Sequence, residues 1–97
     1  MNKKYSFEKI VNIMKSGRLE WLKISELRGL SALLNDNTYL VLLDLTSNKD
    51  NNGFLVLVHD SLTGTSIFEE YLKPSNPNFN KVKELFDRDY TFASLFD

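Results

Sequence analysis

The sequence contains no cysteine, one histidine, two prolines and four glycines among its 97 residues. A chain without cysteine forms no disulfide and offers no thiolate for zinc binding, nucleophilic catalysis or redox chemistry. His59 is the one imidazole, so a site that needs two histidines is excluded. The glycines lie too far apart for the dinucleotide-binding and P-loop patterns, in which clustered glycines let the backbone approach phosphate. These absences remove several common enzyme classes.

The length and composition indicate one globular domain over residues 1–97. Surface scaling predicts that folding buries about 65% of the unfolded surface, which is enough for one core. The composition, 42% hydrophobic and 26% charged, is ordinary for a soluble protein. The first residues lack a signal-peptide core and no apolar run reaches the length of a membrane span. We therefore expect a cytoplasmic location without membrane contact.

The net charge of −1 conceals an uneven distribution of charged residues. Residues 1–30 carry seven basic and three acidic side chains, whereas residues 31–72 carry one basic and six acidic side chains. Two interpretations are open. Either the basic and acidic segments lie side by side in the fold and partly cancel, or the fold keeps them apart as a polarised surface that steers a charged partner.

Two segments have the apolar spacing of amphipathic helices. Residues 6–16 place apolar side chains at i, i+3, i+4 and i+7, with Ser6 as the N-cap and Gly17 as the residue that ends the helix. Residues 79–89 predict a second helix, and the tail after it predicts a final helical turn or a short strand. A further short helix is predicted over 26–34, where leucines have helical spacing, although a glycine inside it costs about 1 kcal/mol relative to alanine.

The remaining apolar segments predict strands. Residues 18–24 alternate well enough for one strand, and residues 38–45 and 54–60 are runs of β-forming residues joined by a polar loop, as in a hairpin. A turn with glycine leads to a strand over 65–72, whose charged residues are typical of a protected edge. The expected fold class is α+β: a single antiparallel sheet of about four strands with an N-terminal helix and a C-terminal helix packed on it.

The central hairpin is apolar at consecutive positions, a pattern typical of strands that are covered on both faces. Tyr39, Val41 and Leu43 point to one face of the sheet, and Leu40 and Leu42 point to the other. Two arrangements satisfy this pattern. The two helices lie on opposite faces, or both lie on one face and a second copy of the chain or another protein covers the other.

Two short motifs resemble parts of known chemical sites. The loop 48–53 carries Asn, Asp, Asn and Gly at the positions of half a calcium-binding loop, but its position twelve is His59 rather than a bidentate glutamate. On a strand His59 and Asp60 point to opposite faces, so they form no catalytic pair. A Gly-x-Ser-x-Gly nucleophile elbow does not occur. We therefore expect no enzymatic activity, no metal and no cofactor.

The N-terminal third resembles the winged-helix family of DNA-binding domains. FEKIVNIMKSG (7–17) is similar to the first helix of such domains, ISELRGLS (24–31) to the second, and residues 39–58 to a wing. Residues 31–38 hold no arginine or lysine for a recognition helix, and the wing is too apolar to lie against DNA. A DNA-binding regulator that uses the basic N-terminal third is therefore the alternative hypothesis.

The aromatic residues allow two interpretations, as core or as interface anchors. The set comprises Trp21, Tyr39, Tyr71, Phe92 and Phe96. In a domain of this size the core interpretation is favoured.

The leading hypothesis is a small non-enzymatic protein-binding domain. The short, cysteine-free profile, rich in leucine and asparagine, resembles the small accessory proteins of phages and mobile elements, many of which bind and inhibit a host protein. The predicted contact surface consists of Asp60, Glu69, Glu70 and Tyr71, which offer carboxylates or a strand edge to a partner protein. A homodimer through the sheet is a second expected association, and nucleic acid is not an expected partner.

Overall fold

The structure is a computed structural model that describes residues 5–24, 28–47 and 52–95. In chain order the elements are α1 (Phe7–Lys15), β1 (Leu22–Lys23), β2 (Gly29–Asn35), β3 (Thr38–Asp44), β4 (Phe54–Asp60), β5 (Thr65–Leu72), α2 (Phe79–Phe92) and β6 (Ser94–Leu95). In the described part of the chain, no helix is long and apolar enough to cross a membrane.

The described strands form one sheet in the order β5-β4-β3-β2-β1-β6. Strands β1 to β5 are antiparallel to their neighbours, and the two-residue β6 pairs with β1 in parallel. The predicted α+β class with one antiparallel sheet is confirmed. The antiparallel part has five strands instead of about four, because the segment around residue 30 adds a strand.

The short helix predicted over 26–34 is wrong, because Gly29–Asn35 is strand β2; residues 26 and 27 lie outside the described residues. Leu30 lies opposite Leu42, and Ala32 lies opposite Leu40, in a continuous ladder with β3. This ladder supplies backbone hydrogen bonds that outweigh the weak helical spacing of the leucines. The segment ISELRGLS therefore ends in strand residues and not in the second helix of a winged helix.

The cap and turn residues predicted from the sequence lie at the ends of the elements, as expected. The side chain of Ser6 accepts a hydrogen bond from the backbone N–H of Lys9 at 3.2 Å, which makes it the N-cap of α1. Gly17, after α1, and Gly64, in the turn before β5, have φ values of +70° and +71°, where glycine avoids the strain of a Cβ atom. Of the strand predicted over 18–24, only the two residues of β1 are strand in the structure.

Both helices pack on the same face of the sheet. Leu40 and Leu42 on that face are fully buried and share one core with apolar residues of α1 and α2. The ring of Phe54 in β4 lies 5.3 Å from the ring of Phe86 in α2. Arg88 of α2 donates a hydrogen bond to the backbone carbonyl of Met14 in α1 at 3.0 Å. Of the two arrangements that the sequence left open, the structure has both helices on one side.

The aromatic residues divide between core and surface. Trp21 lies in the core, as predicted, and Tyr71 is half-buried. The core interpretation is wrong for Phe92, which is 84% exposed on the last turn of α2, and for Tyr39, which points away from the helices. Phe96 lies outside the described residues. The exposure of Tyr39 follows from the packing of both helices on the other face of the sheet.

Candidate functional site

The sheet face that points away from the helices, called the open face below, carries a broad apolar surface. Strand register places Glu69, Leu57, Val41, Ser31 and Leu22 in one row across five strands. The apolar side chains of this face are Leu22, Leu33, Tyr39, Val41, Leu43, Leu55, Leu57 and Tyr71. Each of these side chains is partly or largely exposed to solvent. The apolar residues of the hairpin are therefore covered by helices on one face of the sheet and reach solvent on the open face.

The contrast between the two faces is sharp within single strands. Leu33 is 51% exposed and Tyr39 is 38% exposed, whereas Leu40 on the helix side is fully buried. Five strands about 4.8 Å apart and three rows of side chains give the open face an area on the order of 400–500 Å². The largest apolar patch on a typical monomer covers about 300–600 Å² and is often functional. An apolar surface of this size and continuity is typical of a contact site.

A groove of about 560 Å³ lies at one end of the open face. Leu22 of β1, Leu33 of β2 and Tyr39 of β3 line it, and Arg18 and Glu20 from the segment before β1 form its charged rim. The groove lies beside β1, which is only two residues long. It offers an apolar recess beside two charged groups.

The four residues predicted as the contact surface occupy different places in the fold. Glu69 and Tyr71 point to the open face through β5, the strand at the end of the described sheet. Glu70 lies opposite Val56 and so points to the helix side. The Asp60 carboxylate accepts a hydrogen bond from the backbone N–H of residue 62 at 2.9 Å, in the turn between β4 and β5. The structure thus brings two of the four together.

Leu22 and Leu33 contribute a part of the open face that was not predicted from the sequence. The helix predicted over 26–34 takes the place of strand β2, so the expected sheet lacks both that strand and the groove beside it. The signal was the dipeptide Asp36-Asn37 between two apolar runs, which is a two-residue hairpin turn. Ile67 was missed because it is the extra residue of a β-bulge, where Val58 opposite Phe68 is followed by His59 opposite Ser66.

The main cluster of charged groups lies at the base of the hairpin between β2 and β3. Arg28 donates from Nε to the Asp44 carboxylate at 2.7 Å and from Nη2 to the Asp87 carboxylate at 3.3 Å. The centre of its guanidinium lies 4.6 Å from the centroid of the Tyr90 ring, and Lys23 Nζ lies 4.7 Å from the same centroid. These contacts connect β1, β2 and β3 to α2, which indicates a structural role.

Burial and hydrogen bonding act on Asp44 in opposite directions. Burial alone raises the pKa of this carboxyl, but hydrogen bonds from the hydroxyl and backbone N–H of Thr46 and from Arg28 outweigh burial and lower it. The hydrogen bond to Asp44 also raises the pKa of Arg28. Both groups therefore stay ionised at neutral pH.

The structure describes His59 and only a part of the loop 48–53. Residues 48–51 of the loop that resembles half a calcium site lie outside the described residues, and Gly53 is buried at the start of β4. Among the residues that the structure describes, no three His, Cys, Asp or Glu side chains are grouped closely enough to hold a metal ion. His59 lies opposite Tyr39 on the open face.

Comparisons with known proteins find no family model, no curated protein and no solved structure that matches this chain.

Proposed function

We propose that this chain is a small non-enzymatic protein-binding domain whose contact surface is the open face together with its margin at β5. The observation that carries the proposal is the set of apolar side chains that β4, β3, β2 and β1 place on the open face, with no helix packed on that side in the described part of the chain. Uncovered apolar surface of this extent costs free energy in water, on the order of 25 cal/mol for each Å². A protein partner that covers it removes this cost.

The margin at β5 adds polar contacts to the apolar centre. Glu69 and Tyr71 lie on the open face at this edge. Within the described sheet β5 has a neighbour on one side only, so its outer backbone groups can pair with an added strand. An apolar centre with a polar rim is the usual anatomy of a protein interface. The proposed partner is a host protein, and binding inhibits it. The proposed location of this interaction is the cytoplasm. These statements rest on the sequence profile alone.

The test is capture of protein partners by the immobilised chain and by matched variants. Leu33→Glu places a charge on the open face, and Leu62→Glu places the same charge in the turn between β4 and β5, where Leu62 is 75% exposed. We expect Leu62→Glu to capture what the unmodified chain captures and Leu33→Glu to lose it. The double variant Glu69→Lys and Glu70→Lys examines the β5 margin in the same way.

The control for each variant is its circular dichroism spectrum, which must match that of the unmodified chain. If neither the open-face variant nor the β5 variant changes what is captured, the proposed contact surface is wrong. Binding of duplex DNA that weakens steeply as salt rises would instead favour the DNA-binding alternative.

A further inference from the structure

We propose that a cleft between α1 and the start of α2 binds a small anion that carries a phosphate group. The cleft has a volume of about 280 Å³ and is called the lysine cleft below. Asn12 and Lys15 of α1 line it, together with Lys81 of α2 and Asn78, the N-cap of α2. This inference is separate from the proposed function, because the helices pack on the side of the sheet opposite the open face.

Each helix supplies the same pair of donors to the lysine cleft. Asn12 and Lys15 are three residues apart on α1, and Asn78 and Lys81 have the same spacing at the start of α2. Side chains at this spacing lie on one face of a helix, so the two members of each pair point the same way. The Asn78 side chain makes no capping hydrogen bond to α2, so its amide can donate to a ligand. Two ammonium groups and two amides therefore share one cleft.

The two ammonium groups lie close enough to repel each other. The side chain of Lys81 at hydrogen-bonding distance is the main cause that lowers the pKa of Lys15, its positive charge is the next, and burial is the least. In the described part of the chain, no carboxylate lies within ion-pair distance of either lysine. Glu8 on the rim supplies one negative charge against two positive charges, which leaves a net charge of +1. An anion between the lysines replaces this repulsion with two attractions.

The donors and the size of the lysine cleft favour a phosphate group. A phosphate monoester carries a charge of about −1.5 to −2 near neutral pH and has three acceptor oxygens, so it can interact with both ammonium groups at once. Phe7 and Val11 form an apolar wall, which shields one side of the ligand from water and strengthens these interactions. The volume lies below the range of about 300–1,000 Å³ for pockets of drug-sized ligands. The ligand is therefore inorganic phosphate or the phosphate group of a small monoester.

The first measurement is the thermal stability of the chain in phosphate and in chloride at the same pH and ionic strength. A ligand that binds the folded chain raises Tm as its concentration rises. Screening of charges by salt acts equally in the two solutions, so the comparison isolates binding from ionic strength. We expect phosphate to raise Tm above its value in chloride, and calorimetric titration with inorganic phosphate to give the affinity.

Matched lysine variants locate the binding site. Lys15→Gln and Lys81→Gln should each weaken phosphate binding about tenfold, because each removes a charge-assisted hydrogen bond. Lys83→Gln is the control, since it removes the same charge from α2 but Lys83 pairs with Asp87 at 3.0 Å and does not line the lysine cleft. We expect it to bind phosphate as the unmodified chain does. The circular dichroism spectrum of each variant must match that of the unmodified chain.

The ionisation of Lys15 gives a readout that does not depend on stability. NMR titration of its side chain measures the pKa with and without inorganic phosphate. We expect phosphate to raise this pKa towards the ordinary value of lysine, because the anion offsets the repulsion from Lys81. The same titration with glycerol phosphate separates the two sources of the ligand, and the tighter binder identifies the source.

Three results would overturn the lysine cleft as a phosphate site. The first is a Tm that phosphate raises no more than chloride does, and the second is a pKa of Lys15 that phosphate leaves unchanged. The third is phosphate binding that Lys15→Gln and Lys81→Gln weaken no more than Lys83→Gln does. None of these results bears on the proposed function, because that function is judged by what Leu33→Glu and the β5 variant capture.

Discussion

At the scale of single residues, Asp44 shows how burial and hydrogen bonding set one ionisation. Its side chain is 7% exposed, and its two oxygens accept from Thr46 Oγ1 at 2.6 Å and from Arg28 Nε at 2.7 Å. Because its pKa is lower in the folded chain than in the unfolded chain, the folded state binds fewer protons near pH 4. The stabilisation is present at neutral pH and is lost as the pH falls from about 4 through the lower native pKa.

We expect Asp44→Asn to lower the free energy of unfolding by about 1–2 kcal/mol at pH 7, since the amide cannot pair with the half-exposed Arg28 as a carboxylate does. The difference between variant and unmodified chain should shrink at pH 3. Urea denaturation at the two pH values measures it, with the exposed Asp36→Asn as the control. A difference that is independent of pH would contradict the account of this carboxylate.

Gly53 is a second residue whose role is steric. A Cβ atom at this position would overlap the backbone carbonyl of Leu72 and would lie 3.0 Å from the ring of Tyr71. The Gly53 carbonyl also accepts a hydrogen bond from the backbone N–H of Leu45 at 2.7 Å, which continues the pairing of β3 and β4 by one residue towards the loop between them. Glycine is therefore required by the close approach of β5.

We expect Gly53→Ala to destabilise the chain by about 1–3 kcal/mol, because neither strand backbone can move without breaking its ladder. Thermal unfolding measures the loss, and Asn52→Ala at the exposed neighbouring position should stay within about 0.5 kcal/mol of the unmodified chain. Equal effects at the two positions would show that the hairpin tolerates a Cβ atom here.

At the scale of elements, α2 carries one buried and one exposed phenylalanine. Phe86 is fully buried, with its ring 5.3 Å from that of Phe54 and 5.2 Å from that of Tyr90. Phe92, six residues later on the same helix, is 84% exposed. The same residue type thus occupies two opposite environments on one helix.

This pair gives a prediction with an internal control. Phe86→Ala should lower the free energy of unfolding by about 3–5 kcal/mol, because it removes a ring that two other rings contact. Phe92→Ala should change it by less than about 0.5 kcal/mol. Chemical denaturation of the two variants measures both values. A large loss for Phe92→Ala would mean that the helix end is covered in solution.

The elements that could be predicted from the sequence are those with strong local signals. The helix at Phe7–Lys15 has a cap, an apolar stripe and a terminal glycine, and the central hairpin has two apolar β-rich runs, so both are confirmed. Strand β2 could not be predicted from leucine spacing, because its conformation depends on pairing with β3. The groove could not be predicted for the same reason, whereas the two apolar faces of the hairpin were predicted from its apolar residues at consecutive positions.

At the scale of the whole molecule, the position of the helices decides what the surface can do. The sequence indicated two apolar sheet faces and two helices, but it did not determine on which face each helix packs. That choice depends on contacts distant in sequence, such as the one between Arg88 and Met14. Because both helices lie on one side, the second apolar face is left as a contact surface.

The charge asymmetry is also resolved in part at this scale. Arg28 belongs to the basic N-terminal third and Asp44 to the acidic middle segment, and the two form an ion pair at 2.7 Å. This pair fits the interpretation in which the two segments lie side by side and partly cancel. Glu69 on the open face remains as an acidic group at the margin of the proposed interface.

If the homodimer expected from the sequence closes the open face, the thermal stability of the chain depends on its concentration. When folding and association are coupled, mass action stabilises the folded dimer as the chain concentration rises. A tenfold increase is worth about 1.4 kcal/mol, which corresponds to a rise in Tm of about 3–5 °C for a pair of chains of this length. Calorimetry over a hundredfold range of concentration measures the slope. We expect Leu33→Glu to flatten this slope and Leu62→Glu to preserve it, because Leu33 lies on the open face and Leu62 lies in the turn between β4 and β5. A Tm of the unmodified chain that stays constant over the whole range would show that the open face is not closed by a second copy.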